Sequence, residues 1–118
     1  MKWEIRIADE ARKEYRRLEG SVRRQVLAGI LKVSRAPLPA PDGYGKPLGN
    51  KNGNNLTGFF KIKYRGIGIR VVYTLNIEKY LMNIVVISQR DDNLCYDLAG
   101  KMYEKYGDNI FSDMFEEL

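Results

Sequence analysis

The sequence predicts an α+β domain. An N-terminal strand and a two-helix hairpin pack on a twisted, mainly antiparallel four-stranded sheet, with helices at the C-terminus. Three observations carry that expectation. Residues 3–8 alternate apolar and polar side chains, the pattern of a half-buried strand. Residues 9–33 repeat apolar residues at helical spacing in two blocks separated by Gly20. Residues 56–88 hold three β-like segments, the first two joined by the glycine-rich turn Arg65-Gly66-Ile67-Gly68. At 118 residues the chain suits one domain, residues 1–118, with a modest core.

In the first helix Asp9 is placed to cap the N-terminus, and Glu10 lies in the first turn, where the helix dipole favours negative charge. Ala11, Tyr15 and Leu18 share one face, while Arg12, Lys13, Arg16 and Arg17 lie off it. Gly20 is expected to end this helix as a C′ glycine, and Ser21 to cap the next. The second helix carries a stripe of Val22, Val26, Ile30 and Val33, widened by Leu27 and Leu31. Pro37, Pro39 and Pro41 stop it, because proline lacks an amide donor and clashes with the preceding turn. The stretch 36–55, rich in Pro, Gly and Asn, reads as one long loop from which Pro47-Leu48 can tuck back onto the core.

The hairpin can be worked out from its turn. If Gly66-Ile67 form a type II′ turn, Lys63 falls opposite Arg70 and Lys61 opposite Val72. Strand alternation then points Phe60, Ile62 and Tyr64, with Ile69, Val71 and Tyr73, toward the helices. Phe59, Lys61 and Lys63 share the other face with Arg70, Val72 and Thr74. Like charges directly across a sheet repel, so a fold that gathers these three cations is expected to meet an anion there. Leu81–Ser88 forms the next strand, and its apolar run suits burial on both faces. Asp91 or Asp92 can cap a helix containing Leu94, Cys95, Leu98 and Met102, which brings Tyr96 near Arg90. Gly107 breaks that helix. Residues 100–118 are expected to form a helical extension whose apolar residues, Ile110, Phe111, Met114, Phe115 and Leu118, dock on the domain.

Composition removes several chemistries. There is no histidine, so the commonest general base and metal ligand are missing. The single cysteine, Cys95, can form no intrachain disulfide, and the neighbouring Asp91, Asp92 and Asp97 argue against a reactive thiolate. No apolar run approaches the roughly 20 residues of a membrane span, and the N-terminus lacks a signal-peptide core, so a cytoplasmic location is expected. Net charge is +5. Residues 1–75 hold sixteen Lys/Arg against six Asp/Glu, and residues 76–118 hold four against nine. The basic part suits a polyanion, with plain solvated charge as the competing explanation.

The ordered set is Lys61-Ile62-Lys63 on one strand, Arg70 seven residues on, Arg90 after the last strand, and Tyr96 six beyond it. With the preceding strand and two helices, this set resembles the RelE/ParE toxin superfamily of type II toxin–antitoxin systems, on its RelE side. The resemblance covers roughly residues 3–102. It implies a RelE-like, microbial-RNase-type fold and a metal-independent, cofactor-free endoribonuclease that cuts mRNA in the ribosomal A site by attack of a 2′-hydroxyl on the adjacent phosphate. Arg70 and Arg90 would stabilise the phosphorane charge, Lys61 and Lys63 would hold the phosphate, and Tyr96 would stack on a base or position a proton. Arg12, Lys13, Arg16, Arg17, Arg23, Arg24 and Arg65 are then the candidates for contact with RNA and 16S rRNA. The implied partners are a cognate antitoxin and mRNA on the ribosome, with operator DNA only through the antitoxin complex and no membrane. Gln89 stands where many relatives carry a basic residue. The competing expectations are a ParE-like, non-enzymatic inhibitor of DNA gyrase and a catalytically weak, antitoxin-binding autorepressor component.

Overall fold

The computed structural model describes residues 2–89 and 91–118. The chain runs β1 (Glu4–Ile7), α1 (Asp9–Arg17), α2 (Gly20–Val33), β2 (Lys46–Lys51), β3 (Asn54–Tyr64), β4 (Ile69–Asn76), β5 (Leu81–Gln89), α3 (Asp92–Tyr106), a 3-10 turn (Gly107–Phe111) and β6 (Glu116–Glu117). The strands form one sheet in the order β2-β3-β4-β5-β1-β6. The β1–β5 pair is parallel, and every other pair is antiparallel. The class is the α+β arrangement the sequence predicts, with six strands instead of four.

Both faces of the sheet are covered. Ala11, Leu18, Val26, Ile30 and Val33 of the helix pair pack with Ile69, Val71, Tyr73 and Ile84. Cys95, Tyr96, Ala99 and Met102 of α3, with Ile110 and Phe115 beyond it, pack with Phe59, Val72 and Val86 on the opposite face. Leu81 to Ser88 are all buried, as their apolar run requires of a central strand. Leu27 is only partly buried and Leu31 is exposed, so the widened stripe of α2 is not wholly core.

The β3–β4 register is the expected one, with Lys63 opposite Arg70 and Lys61 opposite Val72. The turn differs. Left-handed backbone falls at Gly68 (φ 66°) and not at Gly66, so the connection is not type II′. Tyr64 pairs with Ile69, which leaves a four-residue connection. Two and four residues give the same strand pairing, so every side chain keeps its face.

Other boundaries also moved. Asp9 is the first helical residue behind an Ala8 cap, and Glu19, not Ser21, caps α2, its side chain accepting from the Ser21 amide. Gly20 therefore opens α2 and does not close α1. The stretch 36–55 is not one loop, because β2 lies inside it and buries Leu48 against the sheet. Residues 100–118 are not wholly helical. Gly107, at φ 58°, ends α3, and the tail leaves its 3-10 turn to run as β6 beside β1. Two buried polar side chains receive this tail. The Thr74 hydroxyl donates to the Ile110 carbonyl at 2.5 Å, and the Asn83 amide donates to the Ser112 carbonyl at 3.0 Å.

Gly58 shows why β3 must bend under the tail. It sits at φ 88° where β3 carries extra residues against β2, and a Cβ there would come within 2.8 Å of the Phe111 ring. A β-branched side chain meets both penalties. Gly58→Val is expected to cost roughly 1–3 kcal/mol from backbone strain alone, more with the ring displaced. A lowered urea midpoint at unchanged slope checks it.

Candidate active site

The site is built where β3, β4 and the start of α3 meet. Strand pairing lines up Lys63, Arg70 and Ser88 as one cross-sheet row, and it places Lys61 two residues from Lys63 on the same face. The Asp91 carboxylate accepts from the Leu94 amide at 2.8 Å and starts α3. Asp92 is then the first helical residue and faces the row. Its carboxylate accepts from Arg70 Nε at 2.9 Å and lies 3.7 Å from the ammonium groups of both Lys61 and Lys63. Tyr96 follows one helical turn later on the same face. Its hydroxyl oxygen accepts from Lys61 Nζ at 2.8 Å.

Electrostatics explains why these groups stay together. Arg70 and Lys61 are only 12% and 16% exposed, so water screens their mutual repulsion poorly. One carboxylate in contact with three cations offsets that repulsion and leaves a net positive site. The hydrogen bond from Arg70, then the charges of Lys61 and Lys63, hold the Asp92 carboxyl below the ordinary carboxylate range, although partial burial opposes them. A carboxyl depressed in the folded state stabilises above its unfolded pKa of about 4 and loses that contribution as pH falls through the lower folded value. Wild type is therefore expected to lose more stability than Asp92→Asn between about pH 5 and pH 2. Thermal melts of the two proteins across that range read the difference.

Four of the five residues expected at the site converge here: Lys61, Lys63, Arg70 and Tyr96. Arg90, the fifth, lies outside the described residues. Tyr96 is buried, and Lys61 meets both its hydroxyl and its ring, the ammonium lying 5.3 Å from the ring centroid. The basic residues of the helices lie elsewhere. α1 and α2 cover the opposite face of the sheet, where Arg12 donates to the Glu117 carbonyl at 2.5 Å, Arg17 pairs with Glu14 at 2.8 Å, and Arg23 reaches the Arg16 carbonyl at 3.3 Å. Lys13, Arg16 and Arg24 are exposed there. Arg65 is exposed in the hairpin turn, two residues from Lys63. Burial pushes the Cys95 thiol up, which makes it a poor nucleophile. Among the described residues no cluster of His, Cys, Asp or Glu could hold a metal ion.

Three further residues belong to the site. Asp92 is central to it, although the sequence offered it only as a possible helix cap. Ser88 is 5% exposed, and its hydroxyl faces the Cys95 thiol and meets no oxygen or nitrogen partner among the described residues. Lys46 on β2 lies directly across from Lys61 and is exposed. Reading residues 36–55 as a loop hid it.

No protein-family profile matches the chain. A protein of Escherichia coli described as a RelE-like toxin is 26% identical over 102 residues, spanning 86% of this chain and 97% of that protein. Among solved structures, a mutant E. coli RelE toxin in the free state aligns with a TM-score of 0.66 at 25% identity, over 86% of this chain and 97% of that one. The isolated E. coli RelE toxin aligns at 0.62 and 25%, over 84% and 96%. The RelBE2 toxin–antitoxin complex of Mycobacterium tuberculosis contains a chain that aligns at 0.61 and 24%, over 78% and 95%. Those alignments span nearly the whole of each relative. In sequence and in fold the chain is similar to RelE toxins.

Proposed function

We propose that the chain is the toxin of a type II toxin–antitoxin pair and a ribosome-dependent, metal-independent mRNA endonuclease. The observation that supports this most is the convergence of Lys61, Lys63 and Arg70 on a single anion, with the Tyr96 hydroxyl on Lys61. A phosphodiester in that position meets positive charge from three directions. In the proposed reaction the 2′-oxygen attacks phosphorus, the bond to the 5′-oxygen breaks, and a 2′,3′-cyclic phosphate and a 5′-hydroxyl result. One proton leaves the 2′-hydroxyl and one reaches the 5′-oxygen. Negative charge grows on the phosphorane oxygens, where Arg70 and the lysines stabilise it without rearranging. Lys61 donates to the Tyr96 oxygen, which leaves the tyrosine O–H free to donate to a phosphate or sugar oxygen. Arg90 is proposed to stabilise the same developing charge.

The partner in this reading is a small antitoxin protein. Its support is that solved relatives include RelE in complex with RelB. The test adds purified protein to translating ribosomes with a defined mRNA and maps 5′ ends by primer extension, beside an Arg90→Ala, Tyr96→Phe variant. Cuts within A-site codons that vanish in the variant are expected. An intact message beside folded protein would overturn the endonuclease and leave gyrase inhibition or repression, which a supercoiling assay separates.

A further inference from the structure

The position among the three cations already has an occupant, and it belongs to the protein. Asp92 accepts from Arg70 at 2.9 Å and lies 3.7 Å from both lysine ammonium groups. The cations assigned above to the scissile phosphate are thus paired with one carboxylate. Resting on the endonuclease reading, we infer that Asp92 is a resident competitor for the phosphate subsite. The substrate phosphodiester enters by displacing its carboxylate, and that exchange sets the affinity for RNA.

Charge makes the competition even. A carboxylate and a phosphodiester each carry one negative charge, so the exchange leaves the site's net charge unchanged. Tethering then favours the carboxylate, because a group held on the same chain acts at a high effective concentration. The tether is firm. Asp97 of α3 accepts from Asn52 at 2.9 Å and Asn54 at 3.2 Å at the β2–β3 turn. At the far end of the helix, Lys105 and Tyr106 donate to Glu10 at 2.5 and 2.9 Å. The helix is pinned along its length, yet the Asp92 side chain is 33% exposed, against 12% for Arg70. Rotation about its own side-chain bonds carries the carboxylate into water while α3 stays docked.

A second observation points to an incoming ligand. Ser88 is buried in the same cross-sheet row as Arg70 and Lys63, and its hydroxyl faces the Cys95 thiol, a weak acceptor, and meets no oxygen or nitrogen among the described residues. A phosphate in place of the carboxylate brings more oxygens than Asp92 supplies, and an oxygen accepts from a buried hydroxyl better than a thiol does. A resident competitor of this kind raises the threshold for free RNA more than for a message already held in place.

The test is binding without cleavage. A 2′-O-methyl trinucleotide, which cannot be cut, and inorganic phosphate are titrated by calorimetry into wild type, Asp92→Asn, Asp92→Ala, Lys63→Gln and Glu104→Gln. Both Asp92 variants are expected to bind the trinucleotide at least about tenfold more tightly, with phosphate following the same order. Lys63→Gln is expected to weaken binding. Glu104→Gln makes the same charge change at an exposed position on α3 and is expected to shift binding less than about twofold. Unchanged or weaker binding in folded Asp92 variants would overturn the inference, as would an equal gain in Glu104→Gln. If one Asp92 variant loses its far-UV dichroism, the other decides. Because the probe is never cut, failure of ribosomal cleavage bears on the enzyme reading alone. Cleavage together with Asp92-independent binding removes the competitor and leaves the enzyme.

Discussion

Arg70→Ala is expected to lower mRNA cleavage on the ribosome by about 10²–10³-fold while the protein stays folded. The argument begins with position. Arg70 is the second residue of β4, directly across from Lys63 on one side and Ser88 on the other. Its side chain is 12% exposed, so its charge acts with little screening. It can offer several N–H donors in one plane, a geometry that suits phosphate oxygens and that lysine lacks. Arg70→Lys is therefore expected to recover only part of the loss. Removing Arg70 also frees Asp92 from its hydrogen-bonded partner, so stability must be measured beside activity. A melting temperature close to wild type with cleavage down by two or more decades assigns the loss to the reaction. A parallel fall in both would make Arg70 a structural ion-pair partner, the role that its contact with Asp92 already shows it can fill.

The cation face was legible in the sequence because strand alternation is local and has a period of two. Once Lys61, Lys63 and Arg70 were placed on paired strands, an even number of turn residues fixed their face even though the turn type was wrong. The parts that escaped depend on distant partners. Lys46–Lys51 contains a proline and a glycine and has little strand propensity of its own; it becomes β2 through pairing with β3. A signal was present in Asn52-Gly53, whose backbones are both left-handed (φ 53° and 78°), the pair that a tight hairpin turn favours. Asp91 and Asp92 could not be told apart by type. One caps α3 and the other enters the cation cluster, and only the entry angle of the helix decides which. The burial of Tyr96 is a consequence of the same docking.

That docking sets the second large expectation, which concerns stability. Phe59→Ala is expected to cost about 3–5 kcal/mol, a large share of the roughly 5–15 kcal/mol that holds a small domain together, and to lower the melting temperature by roughly 10–20 °C. Phe59 is 1% exposed and meets Tyr103 of α3 and Phe111 of the 3-10 turn edge-on, at centroid distances of 6.1 and 5.8 Å. It is thus the point at which the sheet, α3 and the tail share one contact. Met114→Ala, at an exposed tail residue, is expected to change stability by less than about 0.5 kcal/mol. A double-mutant cycle between Phe59 and Phe111 should return a coupling of about 0.5–1.5 kcal/mol; no coupling would mean that the tail does not rest on β3 in solution. Phe59 also lies two residues from Lys61 on the same face of β3. Packing that seats α3 there also brings Asp92 to the cations and the Tyr96 hydroxyl to Lys61. A loosened α3 should therefore weaken both contacts together, so Phe59→Ala is expected to lower cleavage below the melting transition without any change in a charged residue.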